Sequence, residues 1–490
     1  MTARFRGNLI GGQFEFVTRG VCFSSENPAS PGTALFDARA DEEAVDRAVD
    51  AAREALPEWR RLPVESRIEY LHAVKEALPR HVEGIARAIS LEMGKVITEA
   101  RSEAGSIAGK IDALVRLLPS ELPAAVIGAP GEQRFRALGV IGIIGPFNFP
   151  IHLLNTHVIP ALLTGNTVVA KPSEVTPLTG QRYAELFDDA GLPPGVFNMV
   201  HGLGRTGAIL AAHPRLNGVV FTGSYRTGRL IRQALFDQPH KKLCLELGGK
   251  NAAVVFDDAN LDQCVREITL GALLTTGQRC TATSRVIVTP GIADELREAL
   301  VHVFSNVHPS DPMDEAGFMG PLADQSAYDR FLQELGRARR RGVKELVVSE
   351  TQDSGYFVTP GMSEVNGDEE IVTHELFGPH ICFEVAQSEE DAVKRAAANP
   401  YGLSASLFSA RPETFENFYD QVPAGVYNFN RSTNGASGLL PFGGIGMSGN
   451  FHPTGSMSAR ICTVPTAVMG APLGQITPNP TLDALLEVTE

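Results

Sequence analysis

Residues 166–200 read NTVVAKPSEVTPLTGQRYAELFDDAGLPPGVFNMV. The run opens on a short apolar strand signal, Asn166–Ala170. It becomes helical over Leu178–Ala190 and returns to an apolar strand at Val196–Val200. Strand, helix and strand in that order imply a parallel βαβ unit. The alternation continues outward. Thr206–Ala212 predicts a helix, Gly218–Phe221 a strand, Gly228–Leu235 a helix, and Lys242–Leu247 and Ala252–Phe256 two more strands. A second β/α set extends from Leu261 to the neighbourhood of Phe429. The expected fold class is α/β with a doubly wound sheet.

Upstream of this core, residues 41–115 carry helical periods. Asp41 is a candidate N-cap, followed by Val45, Val49, Ala52 and Leu56 at helical spacing. Arg67–Ile89 repeats the pattern through Ile68, Leu71, Val74, Leu78, Val82 and Ile85. After Pro123 the character turns to β, alternating and then continuously apolar through residues 132–145. The tail after Arg460 is β-prone over Ile461–Val464, then Pro-rich, and after Gly474 it reads as a loose end or packing arm.

The chain has 490 residues, more than one core of about 250–300 residues accommodates, so at least two domains are expected. Its formal charge of −14 argues against a nucleic-acid partner but leaves room for a small anion met by local Arg or Lys. Six scattered cysteines, none in a C-x-x-C pair, predict neither a disulfide framework nor a metal site, and fit a reducing, cytoplasmic setting. No signal peptide is read at the N-terminus. The most apolar stretch, Ala137–Ala170, is interrupted by Pro146, Asn148, Pro150, His152, Asn155 and Pro160, so no membrane span is expected.

Several short motifs carry chemistry. Cys280, in Thr276-Gly277-Gln278-Arg279-Cys280-Thr281, follows a polar, Gly-containing approach beside an arginine, which suits a reactive thiol; a buried inert cysteine is the alternative. Glu246 lies between two leucines and before Gly248-Gly249-Lys250. A carboxyl there is costly unless it has a task, and a raised pKa suits a general base. Asn148, held in Gly145-Pro146-Phe147-Asn148-Phe149-Pro150, is a candidate oxyanion donor or an Asx turn. Gly202-Leu203-Gly204-Arg205-Thr206-Gly207 matches a dinucleotide fingerprint, but residues 220–232 lack the acidic partner. The next βα junction, Phe221-Thr222-Gly223-Ser224, is better placed to bring a phosphate to a helix N-terminus near Thr227-Gly228. Lys171 and Glu174, at a strand's carboxyl end, can grip ribose hydroxyls or form a solvated loop.

Together these pieces resemble the aldehyde dehydrogenase superfamily, over nearly the whole chain. The resemblance includes Leu91-Glu92-Met93-Gly94-Lys95, Pro146–Pro150, Lys171–Glu174, Phe221–Gly228, Leu245–Lys250, Gly277–Cys280, Glu375-Leu376-Phe377-Gly378-Pro379, Asn399–Leu403 and Pro441–Gly444. It implies Cys280 as nucleophile, Glu246 as the base that activates hydrolytic water, and Asn148 with the Cys280 backbone N–H as oxyanion hole. It implies NAD as cofactor. Lys171, Ser173 and Glu174 would meet the adenosine ribose, and an acid at Glu174 repels a 2′-phosphate. Gly204 and Gly207 fall in the adenine-side loop. Gly223 and Ser224 would match the pyrophosphate turn, Phe221, Thr222, Gly228, Leu247 and Gly248 are further cofactor-binding candidates, and Glu375 and Phe377 would match the nicotinamide-ribose segment. Phe149, Arg279, Thr281, Arg431 and Phe442 are the candidate substrate-facing residues.

The implied fold is a Rossmann-type cofactor domain (residues 1–123 and 144–248), an α/β catalytic domain (249–448), and a β oligomerisation arm with the C-terminal tail (124–143 and 449–490). A homodimer or homotetramer is implied. The ending Gly443-Gly444-Ile445-Gly446-Met447-Ser448-Gly449-Asn450 is similar to the branch that oxidises N-succinylglutamate 5-semialdehyde in arginine catabolism, although that branch usually has Asn at Lys250 and Trp at Phe429. Arg279 and Arg431 would pair with substrate carboxylates. A neutral medium-chain or aromatic aldehyde is the alternative substrate. A non-catalytic binding protein would be expected to lose Cys280 or Glu246, and a cysteine hydrolase would leave the cofactor motifs unused.

Overall fold

The computed structural model describes residues 4–18, 20–123 and 131–486. Two seven-stranded sheets organise it. The first runs in the spatial order Lys242–Glu246, Gly218–Thr222, Val140–Ile144, Thr167–Lys171, Phe197–Met199, Asn8–Ile10 and Gln13–Glu15. Its first five strands are parallel and the last two are antiparallel additions. Val140–Ile144 is earliest in sequence among the parallel five. The chain builds out to one side of it and then returns to the other. That reversal is the switch point at which doubly wound sheets bind ligands, outside the carboxyl ends of the strands. The segments leaving those ends contain Asn148, Lys171, Thr222–Ser224 and Glu246.

The second sheet runs Lys344–Val347, Gly361–Glu364, His380–Val385, Thr283–Val288, Asn251–Val255, Ser404–Phe408 and Val426–Phe429. It is parallel apart from its first strand. Its central strands are buried on both faces, which accounts for continuous apolar runs such as Val286-Ile287-Val288. Cys280 and Glu375 lie just before the amino ends of Thr283–Val288 and His380–Val385, so the site draws on both sheets.

Three local expectations change. Helix Ala44–Arg61 starts later than Asp41, whose Oδ1 accepts from Glu43 N at 3.1 Å in a turn ahead of the helix. The helical run 67–89 divides into Val64–Ala77, a tight turn Leu78–Arg80 and Val82–Met93, because Pro79 has no N–H for an internal helix bond. The arm boundary at residue 143 cuts through Val140–Ile144, a strand at the middle of the first sheet whose five residues are all buried.

Of the expected arm, Glu132–Ala137 pairs antiparallel with Thr463–Val468 as a separate two-stranded ribbon; residues 124–130 lie outside the described residues. Residues 448–450 stay with the first sheet: Asn450 Oδ1 accepts from Leu245 N at 2.9 Å, its Nδ2 donates to Leu243 O at 2.8 Å, and Leu247 N donates to Ser448 O. These bonds occupy edge groups of the strand carrying Glu246.

Candidate active site

Cys280 is delivered by an unusual turn. Thr275, Thr276 and Gly277 all have positive φ (55°, 56° and 67°). Such a conformation is strained for the two threonines and persists only when surroundings enforce it. Thr275 Oγ1 donates to Glu99 at 2.6 Å, and Thr276 Oγ1 donates to Gly320 O at 2.9 Å. Gly277 is obligatory, since a Cβ would lie 2.3 Å from the Gly378 carbonyl oxygen. On the far side, Asn251 Nδ2 donates to Cys280 O at 2.8 Å.

Cys280 and Glu246 line one cavity of about 260 Å³. Glu246 ends its strand with the carboxyl buried, and neither oxygen has a hydrogen-bond partner among the described residues. Burial raises its pKa well above the ordinary carboxyl value. Gly443 leaves space beside it, because a Cβ there would be 3.2 Å from Glu246 Oε1. The Cys280 thiol is pushed up to about 12, first by burial and then by the charges of Glu246 and Glu375; the backbone N–H groups of Thr281 and Cys280 oppose the shift. Arg279 does not act as the expected thiol-lowering cation. Its Nε donates to Thr275 Oγ1 at 3.0 Å and it pairs with Glu99 at 3.3 Å.

Asn148 is not a free Asx turn. Its Nδ2 donates to Gln278 O at 2.9 Å, two residues before Cys280, with the other amide hydrogen remaining. Lys95 Nζ fixes the Asn148 carbonyl at 2.7 Å and lies 3.6 Å from the Phe149 ring centroid. Glu103, paired with Lys95, accepts from Ile151 N and His152 N at 3.0 and 3.1 Å. A buried ion pair therefore holds the segment that presents Asn148.

Of the expected substrate residues, Phe149, Arg279, Thr281 and Phe442 line the cavity, and Thr281 Oγ1 donates to Asn434 Oδ1 at 2.8 Å. Arg431 does not. It is exposed, and its carbonyl accepts from Ser406 Oγ, which ties down the backbone. Two residues expected on the cofactor side, Thr222 and Leu247, also face this cavity, with His157 Nε2 3.4 Å from Thr222 Oγ1. Phe221 is buried in the apolar core. Lys110, His152 and His157 line the cavity without having been expected. The signal for Lys110 was a lysine on the buried stripe Ala104, Ile107, Ile111 and Leu114.

The proposed dinucleotide residues form a second cluster. Lys171 is buried, and its Nζ donates to Pro172 O at 2.9 Å and to Glu174 at 3.1 Å. Ser173 Oγ accepts from Val175 N at 3.2 Å. Gly204 begins helix Gly204–Ala212 beside open space, while a Cβ at Gly207 would lie 3.5 Å from the Lys171 side chain. Of the fingerprint glycines, Gly207 borders the Lys171 side chain. Ser224 caps helix Tyr225–Ala234, its Oγ accepting from Thr227 N at 3.3 Å; a Cβ at Gly228 would meet Leu247 and one at Gly223 the Phe221 ring. Glu375 Oε1 accepts from Gly249 N at 2.9 Å, and burial raises its pKa to about 7. A Cβ at Gly248 would lie 2.0 Å from Glu375 Oε2. Phe377 has φ 54° and meets Phe147 edge-on at 5.9 Å. The small residues at Gly223, Gly228 and Gly248 thus let Phe221, Leu247 and Glu375 pack against the backbone beside the N-terminus of helix Tyr225–Ala234. Among the described residues, no cluster of three or more His, Cys, Asp or Glu can hold a metal ion, and no helix is long and apolar enough to cross a membrane.

Comparison with known proteins places the chain among named relatives. N-succinylglutamate 5-semialdehyde dehydrogenase of Vibrio cholerae is 40% identical over 433 residues, 87% of this chain and 89% of that protein. The enzyme of the same name from Sphingopyxis alaskensis is 38% identical over 432 residues, 86% and 89% of the two chains. The structure of aldehyde dehydrogenase C from Pseudomonas syringae, complexed with NAD+ and octanal, superposes with a TM-score of 0.91 at 29% identity over 97% of this chain and 98% of that one. An NAD-dependent aldehyde dehydrogenase from Sinorhizobium meliloti superposes with a TM-score of 0.92 at 30% identity, over 97% and 96%. The model of the aldehyde dehydrogenase family matches residues 18–468, and the chain belongs to that family.

Proposed function

We propose that the protein oxidises N-succinylglutamate 5-semialdehyde to N-succinylglutamate, with NAD+ as cofactor. The observation that carries the chemistry is that Cys280 and the partnerless Glu246 carboxyl line the same cavity. The substrate is supported by the two relatives that carry its name and by the cationic side chains Lys110 and Arg279 in the cavity wall.

Burial leaves the Cys280 thiol protonated, so its proton must leave as sulfur attacks. The thiol proton passes to solvent water as sulfur bonds to the aldehyde carbon. The carbonyl electron pair moves onto oxygen, where the remaining Asn148 N–H and the Cys280 backbone N–H meet it. NAD+, when bound, supplies the acceptor for the hydride that leaves this carbon. Cys280 then carries a thioester. Glu246 takes a proton from water, the hydroxide adds to the acyl carbon, the C–S bond breaks to release the acid, and the proton on Glu246 returns to sulfur to regenerate the thiol. A role for Lys171 and Glu174 at a ribose, and for Ser224 and Glu375 at the rest of the dinucleotide, is part of this reading.

The ribbon of Glu132–Ala137 and Thr463–Val468 supports a homo-oligomer, since a two-stranded ribbon is marginal alone and has edges open to further strands. The six unpaired cysteines support a cytoplasmic setting.

The substrate is tested by kcat/KM with NAD+ for N-succinylglutamate 5-semialdehyde against hexanal. The succinylated compound is expected to win by at least tenfold. Preference for hexanal would return the reading to a neutral medium-chain aldehyde, which the apolar walls at Phe149, Leu153 and Phe442 also suit.

A further inference from the structure

Two cations face the cavity, and they differ. Arg279 is already paired with Glu99. Lys110 is only 7% exposed, and burial alone acts on its ammonium, with no carboxylate among the described residues paired to it. Burying a charge without a partner is unfavourable, and such a group is retained where something else completes it. Lys250 also lacks a partner, but it does not line this cavity. The polar groups around Lys110 do not supply an anion. His152 and His157 are held neutral by burial, and the carboxyl sharing the cavity is Glu246, the proposed base.

The placement of Lys110 is also informative. Glu103, which grips the Asn148–His152 turn, lies on the same helix, Ile97–Glu121. Seven residues separate it from Lys110, so the two share a face about 10 Å apart. An extended N-succinylglutamate 5-semialdehyde has eight bonds between its aldehyde carbon and its succinyl carboxylate carbon, which span about 10 Å.

We propose that Lys110 binds the substrate carboxylate farthest from the aldehyde, and so selects a substrate with an anion at that distance. This rests on the carboxylate-bearing substrate proposed above. The ammonium would gain a charge-assisted hydrogen bond to that carboxylate.

The test compares N-succinylglutamate 5-semialdehyde with N-butyrylglutamate 5-semialdehyde, which keeps the length but ends in a methyl group. Both are assayed with NAD+ in the wild type, Lys110→Met and Lys110→Arg. The wild type is expected to favour the succinyl compound. Lys110→Met is expected to cut that ratio of kcat/KM by about 10–100-fold, through KM rather than kcat, with partial recovery in Lys110→Arg. An unchanged ratio in Lys110→Met, or a wild type that does not distinguish the two compounds, would overturn the role of Lys110. A wild type that prefers hexanal to both would overturn the substrate reading itself. A measurement without variants is calorimetric binding of N-succinylglutamate and N-butyrylglutamate to the NAD-loaded wild type. The succinyl advantage should be present at pH 7 and shrink at least fivefold at pH 9.5; an advantage that persists unchanged would count against Lys110.

Discussion

Lys95 and Glu103 form an ion pair in which neither side chain is accessible to solvent, and together they hold both ends of the turn that presents Asn148: Lys95 takes the Asn148 carbonyl and Glu103 takes the Ile151 and His152 amides. Removing one member leaves the other charged and buried, at a cost of about 3–5 kcal/mol. Lys95→Met and Glu103→Gln should each lower Tm and kcat, whereas the double variant should recover part of the Tm but not of kcat. Thermal melts with steady-state rates check this. A double variant that regains full kcat would show that the pair does not position Asn148.

Glu375 depends on a missing side chain. A methyl group at Gly248 would fall 2.0 Å from Glu375 Oε2, so Gly248→Ala must move the carboxyl or the strand end. The variant is expected to raise KM for NAD+ by roughly tenfold, with a smaller change in KM for the aldehyde. Equal changes in both would contradict the assignment of Glu375 to the cofactor side.

Glu375 also predicts a pH dependence of stability. Burial raises its pKa from 4.5 to about 7. The folded protein therefore holds this proton more tightly than the unfolded chain does. The associated stability is fully present below pH 4.5 and is lost as pH rises through 7. The shift corresponds to about 3 kcal/mol. Glu375→Gln cannot titrate, so its Tm relative to wild type should increase by a few degrees between pH 5 and pH 8. A constant difference across that range would refute the assignment.

Arg431 provides a negative control. It is exposed and lies outside the cavity lining, so Arg431→Ala should keep kcat/KM for the succinylated substrate within about twofold. A tenfold rise in KM would mean that Arg431 reaches the substrate.

The alternating strand and helix signals were legible because βα units are local, and Asn148, Glu246 and Cys280 because their neighbours are chemically unusual. What was not legible depended on packing. Val140–Ile144 follows the arm strand closely, and only its pairing with Thr167–Lys171 and Gly218–Thr222 puts it at the sheet centre. Arg431 and Arg279 looked equivalent beside the site, but one faces solvent and the other is neutralised by Glu99, far away in sequence. Lys110 sits within an ordinary amphipathic helix, and only the packing of that helix brings it to the cavity. Pro79 was visible, but the periodic apolar residues on either side masked the break.

The central claim is that Cys280 carries the acyl group and Glu246 frees it. The most direct test is rapid-quench mass spectrometry of Glu246→Gln mixed with the semialdehyde and NAD+. The account predicts an acyl adduct on the Cys280 peptide that accumulates to near one per site and decays about 10²–10⁴-fold more slowly than wild-type turnover. Turnover at the wild-type rate with no adduct on Cys280 would contradict it.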